Sequence, residues 1–211
     1  LLINGFPALV VTLLACAVVS YINLFYINGV NVKTKAAFIA TIVTTFFLLL
    51  LTIVVHRFAM IQGFGPEEVE EYTTLSFFVN VDFVQIGICT MITGTIAAIT
   101  DTAISISSSL YEVHTCNPQL GEKELFCSGM TIGKDIIGTT TNTLYFSFVG
   151  SYLALFLWFR DLSYPFGEAL NAKVLVSEVL SMFVIGIGVT GIIPLTAWVT
   201  AHMLLNESSR D

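Results

Sequence analysis

The chain has 211 residues, of which 55% are apolar or aromatic and only 11% are Asp, Glu, Lys or Arg, with a mean hydropathy of +0.87. Soluble domains carry about 25% charged residues, so a soluble fold is excluded, and an apolar chain is not a disordered one. Eight Lys plus Arg against fifteen Asp plus Glu, net −7, also removes the case for binding nucleic-acid phosphates.

A bilayer core of roughly 30 Å takes about 20 apolar residues in a helix. Five stretches reach that length, at about residues 8–27, 36–55, 83–104, 139–159 and 174–201. The first is uncharged and follows Pro7. The second is uncharged and closes on His56 and Arg57. The third holds Gln85 and Asp101, and the fourth opens Thr139-Thr140-Thr141-Asn142 and ends Trp158-Phe159. The fifth carries Glu178, Gly186, Gly188, Gly191 and Pro194, and is long enough to tilt or kink at the proline. None of the runs alternates as barrel strands do. The expected fold is an all-α, polytopic transmembrane bundle forming one domain over residues 1–211.

Basic residues favour the cytoplasmic side of a membrane. Lys33, Lys35, Lys123, Lys134 and Arg210 fall on one side of the expected topology, and Arg57, Arg160 and Lys173 on the other. The bias places the N-terminal end outside and the C-terminus in the cytoplasm. The chain begins at Leu1 with no basic region before its first apolar run, which reads as a start partway through a longer protein rather than a signal peptide. The external segment from Pro66 to Tyr72, with Glu67, Glu68, Glu70 and Glu71, reads as a solvated interfacial helix leading into the third span, with Asp82 interfacial after it.

Little else in the sequence carries recognisable chemistry. His114, Cys116 and Cys127 have poor zinc spacing, and Cys16 and Cys89 lie in spans, so no metal site or cofactor is expected. There is no phosphate-binding loop, nucleophile elbow or zinc-protease motif, so no enzyme is expected. The residues Ser105, Ser107, Ser108 and Ser109 read as the third span emerging into the headgroups.

Asp101 is different. It lies about 10 Å past the centre of its span at 1.5 Å per residue, among Gly94, Ala97, Ala98 and Thr102, which allow neighbouring helices to come close. A charged side chain at such depth costs a few kcal/mol. A carboxyl shielded from water takes up a proton more readily, which makes Asp101 a candidate proton relay. The structural alternative is a carboxylate held permanently by Thr and Ser hydroxyls as helix-packing glue. Thr100, Thr139, Thr141 and Asn142 are the supporting polar partners at comparable depth. Glu178, five residues inside the fifth span, is a secondary candidate that can equally snorkel or pair with Lys173.

The segment from Val81 to His114, and more specifically the run Gly129-Met130-Thr131-Ile132-Gly133-Lys134-Asp135-Ile136-Ile137-Gly138-Thr139-Thr140-Thr141-Asn142-Thr143, resembles the YibE/F family of bacterial membrane proteins. The resemblance covers all five spans and implies an architecture more than an activity. More remotely, the same segments resemble the membrane half of SecD and SecF, within the resistance-nodulation-division permeases. There an aspartate late in the fourth helix, matched by Asp101, precedes a polar Thr/Asn run opening the fifth, matched by Thr139 to Thr143. That resemblance implies that the five spans correspond to helices two to six of a permease half. A partner half, either a second copy or a paralogue, is then needed, and Gly186, Gly188 and Gly191 are candidate packing surfaces for it, within the chain or between halves. The expected function is half of a proton-motive-force-coupled transporter in a bacterial cytoplasmic membrane. The alternative is a non-transporting subunit, a scaffold or regulator of another membrane assembly.

Overall fold

The computed structural model describes residues 8–59, 83–161, 165, 167–168 and 171–208. Every long element among them is helical: α1 (Ala8–Ile22) running into a single π turn (Asn23–Ile27), α2 (Val32–Ala59), α3 (Phe83–Cys116), α4 (Glu122–Asp161) and α5 (Lys173–Ser208). All five are long and apolar enough to cross a membrane, so the chain is a multi-pass membrane protein. In lipid a helix satisfies its own backbone donors and acceptors, which is why apolar runs of this length fold as helices. The acidic lead-in from Pro66 to Tyr72, Asp82 and Arg210 lie outside the described residues, as do the side chains of Trp158 and Lys173.

Two short turns can be followed in atomic detail. Gly29, with a φ of 74°, takes the left-handed conformation that closes the first helix. The Asn31 carbonyl then accepts the Lys35 N–H at 3.1 Å to open α2. The second turn corrects the sequence reading. Residues 105–138, expected to emerge from the membrane and form a loop, are helical on both sides of a turn at 117–121. Glu124 explains the restart: its Oε2 accepts the Gly121 N–H at 3.1 Å, while the Gly121 carbonyl accepts from Glu124 and Leu125. That is a capping box with glycine in the cap position, and Glu122 and Glu124 sit at the positive end of the helix dipole. Counting apolar residues finds only the lipid-facing part of a helix. At 1.5 Å per residue α3 is about 51 Å long and α4 about 60 Å, so both extend well past a bilayer core of roughly 30 Å.

α3 is the central helix and packs against α1, α2, α4 and α5. It runs parallel to α1, because Cys16 meets Thr93 and Ser20 meets Thr100 in the same order along both. Its main contact is with α2 and α5, through a core of Ala37, Ala40, Leu48, Met91, Ile99, Ala103, Val184, Val189 and Ile192. Gly188 makes that contact possible: a Cβ there would fall 2.7 Å from Leu48 and 3.2 Å from Thr95. Of the three glycines singled out on α5, this one is committed to packing within the chain, while Gly186 and Gly191 face open space. Pro194 sits inside α5, which continues to Ser208.

A second cluster holds the extended ends together. Ile106 and Leu110 of α3 and Ile193 and Ala197 of α5 are buried there, with Phe126, Met130, Ile136 and Ile137 of α4 against them. Gly129 lies where a Cβ would be 2.7 Å from Ala197, and Gly133 is pressed directly onto Ile193. Gly129-x-x-x-Gly133 is thus a small-residue motif used between α4 and α5. Beyond it α4 diverges, and no described residue between Ile136 and Leu157 is buried.

A side chain at Gly133 has to displace Ile193, and overpacking of this kind costs about 1–3 kcal/mol. We expect Gly133→Val to lower the midpoint of thermal unfolding in detergent, followed by the surviving monodisperse fraction. Gly138→Ala, where a Cβ meets open space, is expected to leave it unchanged. Equal midpoints for the two variants would contradict the packing.

Candidate functional site

Because α2 and α5 cover one side of α3, its remaining side is left as a strip of exposed residues. Thr90, Thr93, Gly94, Ala97, Asp101 and Ser105 are all exposed along it. They recur every three or four residues, the spacing of one helix face. The strip is lined by small and hydroxyl side chains with a single charge, and it runs between α1 and α4.

Asp101 lines the depressions on both sides of the strip. Towards α1 lies a cleft of about 450 Å³, walled by Val11, Ala15, Val19, Ile96 and Ala97, with Ser20, Asn23, Thr100 and Asp101 towards one end. Towards α4 lies a groove of about 390 Å³, where Asp101, Thr102 and Ser105 face Ile136, Thr139, Thr140 and Thr143. The cleft is braced across its floor by hydroxyl and thiol contacts: Ser20 Oγ and Thr100 Oγ1 are 3.5 Å apart, and Cys16 Sγ reaches Thr93 Oγ1 at 3.7 Å.

Most hydroxyls around Asp101 donate to their own helix. Thr100 donates to the Ile96 carbonyl at 2.7 Å, Thr102 to Ala98 at 2.9 Å and Ser105 to the carbonyl of Asp101 itself at 2.7 Å. On α4, Thr139 donates to Ile136 at 3.0 Å and Thr143 to Thr139 at 3.0 Å. The Asp101 carboxylate consequently makes no hydrogen bond or ion pair with any described residue. It is exposed rather than held in a network of Thr and Ser hydroxyls.

Its depth follows from its neighbours. Lys33, at the start of α2, places its Nζ 5.7 Å from the Tyr111 ring, a position suited to a basic side chain at the edge of the apolar layer. From Tyr111 back to Asp101 is about 15 Å along α3. Asp101 itself falls within Gln85–Cys116, the stretch of α3 that is long and apolar enough to cross a membrane.

The structure brings some of the expected partners together and separates others. Thr100 is buried and joins the α1 cleft, and Thr139 joins the α4 groove with Thr140 and Thr143. Thr141 and Asn142 are exposed and line neither depression. Glu178 is half-buried on α5, forms no ion pair with a described side chain and lies outside both depressions. The contribution of α1 was missing from the sequence reading. Thr12, Cys16, Ser20 and Asn23 fall three or four residues apart on an otherwise apolar helix, a pattern that marks one face. Among the described residues no cluster of three His, Cys, Asp or Glu could hold a metal. The one contact between an imidazole or basic group and a carboxylate among the described residues is that of His202 with Glu122, 3.4 Å apart and well exposed, at the far end of α5.

The cleft floor can be tested by crosslinking. In a background with the four native cysteines replaced, Ser20→Cys with Thr100→Cys is expected to form a disulfide on mild oxidation, since their oxygens already lie 3.5 Å apart. Ser20→Cys with Asn142→Cys is expected to stay reduced. A disulfide in the second pair and none in the first would contradict the arrangement.

A family model described as YibE/F-like protein matches residues 1–206 of the chain. No curated protein matches it, and no solved structure does.

Proposed function

The chain belongs to the YibE/F-like family, and on that premise we propose that it is one half of a proton-motive-force-coupled transporter in a bacterial cytoplasmic membrane. The observation that carries this reading is the Asp101 carboxylate, exposed on a membrane-spanning helix with no partner among the described residues. A charge facing lipid at that depth costs about 3 kcal/mol on insertion scales. It must be hydrated, neutralised by a proton or covered by another protein surface. A second half packed along the α3 strip, with water reaching Asp101 between the two, meets all three conditions in turn as the halves rock.

In this reading the five helices take the places of helices two to six in a permease half resembling SecD and SecF. The N-terminal end faces outside and the C-terminus the cytoplasm. Asp101 is the proton carrier, and Thr139, Thr140 and Thr143 form the polar wall that α4 presents across its groove. Thr100 positions the floor through Ser20, and Glu178 has no part in the relay. The partner is a second copy or a paralogue, and no catalytic chemistry or cofactor is involved. Alternating access between halves requires a surface that can part and close, and α4 supplies one, since it is packed at its start and unburied from Ile136 to Leu157.

We expect the assembly purified from native membranes to contain two homologous halves. Reconstituted in vesicles under an imposed pH gradient and inside-negative potential, it is expected to pass protons, read by an internal pH dye. Asp101→Asn should leave the assembly intact and lower the flux about a hundredfold or more, the usual scale for a lost proton-transfer group. Unchanged flux in an intact assembly would overturn the relay and leave a scaffold or regulatory subunit as the reading.

A further inference from the structure

We propose that the cleft between α1 and α3 is a binding site for a lipophilic monocation, an organic amine or quaternary ammonium with an apolar body, whose positive head occupies Asp101 in place of the proton. The inference rests on the reading of Asp101 as a proton carrier and names what is exchanged against that proton.

The cleft is built asymmetrically along its length. Val11, Ala15 and Val19 of α1 and Ile96 and Ala97 of α3 make most of the wall apolar, with Thr12, Cys16 and Thr93 set along it, while Ser20, Asn23, Thr100 and the charge of Asp101 lie towards one end. Its volume of about 450 Å³ falls within the range of about 300–1,000 Å³ that small-molecule sites occupy. A ligand with an apolar body and one polar head matches that division. Charge decides the sign of the head. Among the described residues Asp101 is the only charged side chain lining either depression beside it. The other ionisable group in the cleft wall is Cys16, and Lys134 and Asp135 lie farther along α4, outside the groove lining.

The chemistry at the head also disfavours an anion, which would need hydrogen-bond donors from the protein, and leaves acceptors for a cation. Thr100 has already given its hydroxyl proton to the Ile96 carbonyl at 2.7 Å, and Thr93, two turns farther along the wall, has given its own to the Cys89 carbonyl at 2.8 Å. What remains at that end is the Asp101 carboxylate, without a partner among the described residues, and the Asn23 amide in the same lining. In a low-dielectric setting an unpaired charge is far costlier than a paired one, so a cation that brings its own apolar cover is retained where water-borne metal ions, held by their hydration, are not. An anion meets an uncompensated carboxylate, and a neutral molecule gains only the apolar walls. Because proton and cation need the same oxygens, binding of either displaces the other, which is the requirement for exchange between them.

The test uses tetraphenylphosphonium as the probe, with the full chain in its native assembly and binding measured by equilibrium dialysis. We expect saturable binding that weakens about tenfold per pH unit where the carboxyl is protonated, and no competition from the isosteric anion tetraphenylborate. Asp101→Asn should weaken binding roughly tenfold or more. Ala97→Trp, which fills the cleft and keeps the carboxylate, should also abolish binding while the infrared carboxyl band of Asp101 still titrates. That band separates the two readings. Titration without phosphonium binding overturns the cleft site and leaves the proton relay standing. Phosphonium binding without titration overturns the relay. Binding that survives both substitutions, or that tetraphenylborate displaces equally well, places the probe elsewhere and overturns the site.

Discussion

A carboxylate inside an apolar layer has three tolerable states: hydrated, paired or protonated. The rest of this structure can be read as the arrangement that keeps Asp101 from settling permanently into any one of them. Its neighbours' hydroxyls donate to backbone carbonyls, so they do not hold it. α2 and α5 occupy the opposite side of α3, so they do not bury it. α1 and α4 stand to either side, each leaving a depression rather than a seal. Among the described residues no side chain donates a hydrogen bond to its carboxylate.

That exposure depends on close packing elsewhere. The central helix is held by Gly188, which brings α5 against Leu48, Thr95 and Ile99, and by Gly129 and Gly133, which seat α4 on Ala197 and Ile193. Between helices in lipid there is little hydrophobic gain, so small residues that let backbones and side chains interlock do most of the fixing. With α4 anchored at its start and unburied over its later turns, the groove beside Asp101 has one firm wall and one wall with few neighbours in the chain. Thr139, Thr140 and Thr143 lie just past the anchor. The run from Gly129 to Thr143 therefore spans both tasks, packing at its beginning and lining the groove at its end.

The five spans were legible in the sequence, because an apolar layer leaves a clear trace in composition, and the lone acid Asp101 stands out against the third of them. The length of α3 and α4 was not. Their outer turns are polar, and only local signals such as Pro118, Gly121 and Glu124 mark where one helix stops and the next begins. The identity of the partners was half legible. Thr139 and Thr100 follow from depth alone, but depth cannot distinguish Thr140 and Thr143 from Thr141 and Asn142, which differ only in the direction they leave α4. The α1 wall was illegible for another reason: Ser20 and Asn23 are uncharged, and the pattern they form with Thr12 and Cys16 gains meaning only once α1 is known to lie beside α3.

The central claim is that the α3 strip faces a second half across a gap that water can reach. A structure of the assembly extracted from native membranes tests it directly. The account requires helices of a homologous partner opposite Thr90 to Ser105, with ordered water or a bound cation within hydrogen-bonding distance of Asp101. A strip covered by lipid alone, or an Asp101 sealed in a dry helix contact with no polar partner across it, would contradict the account.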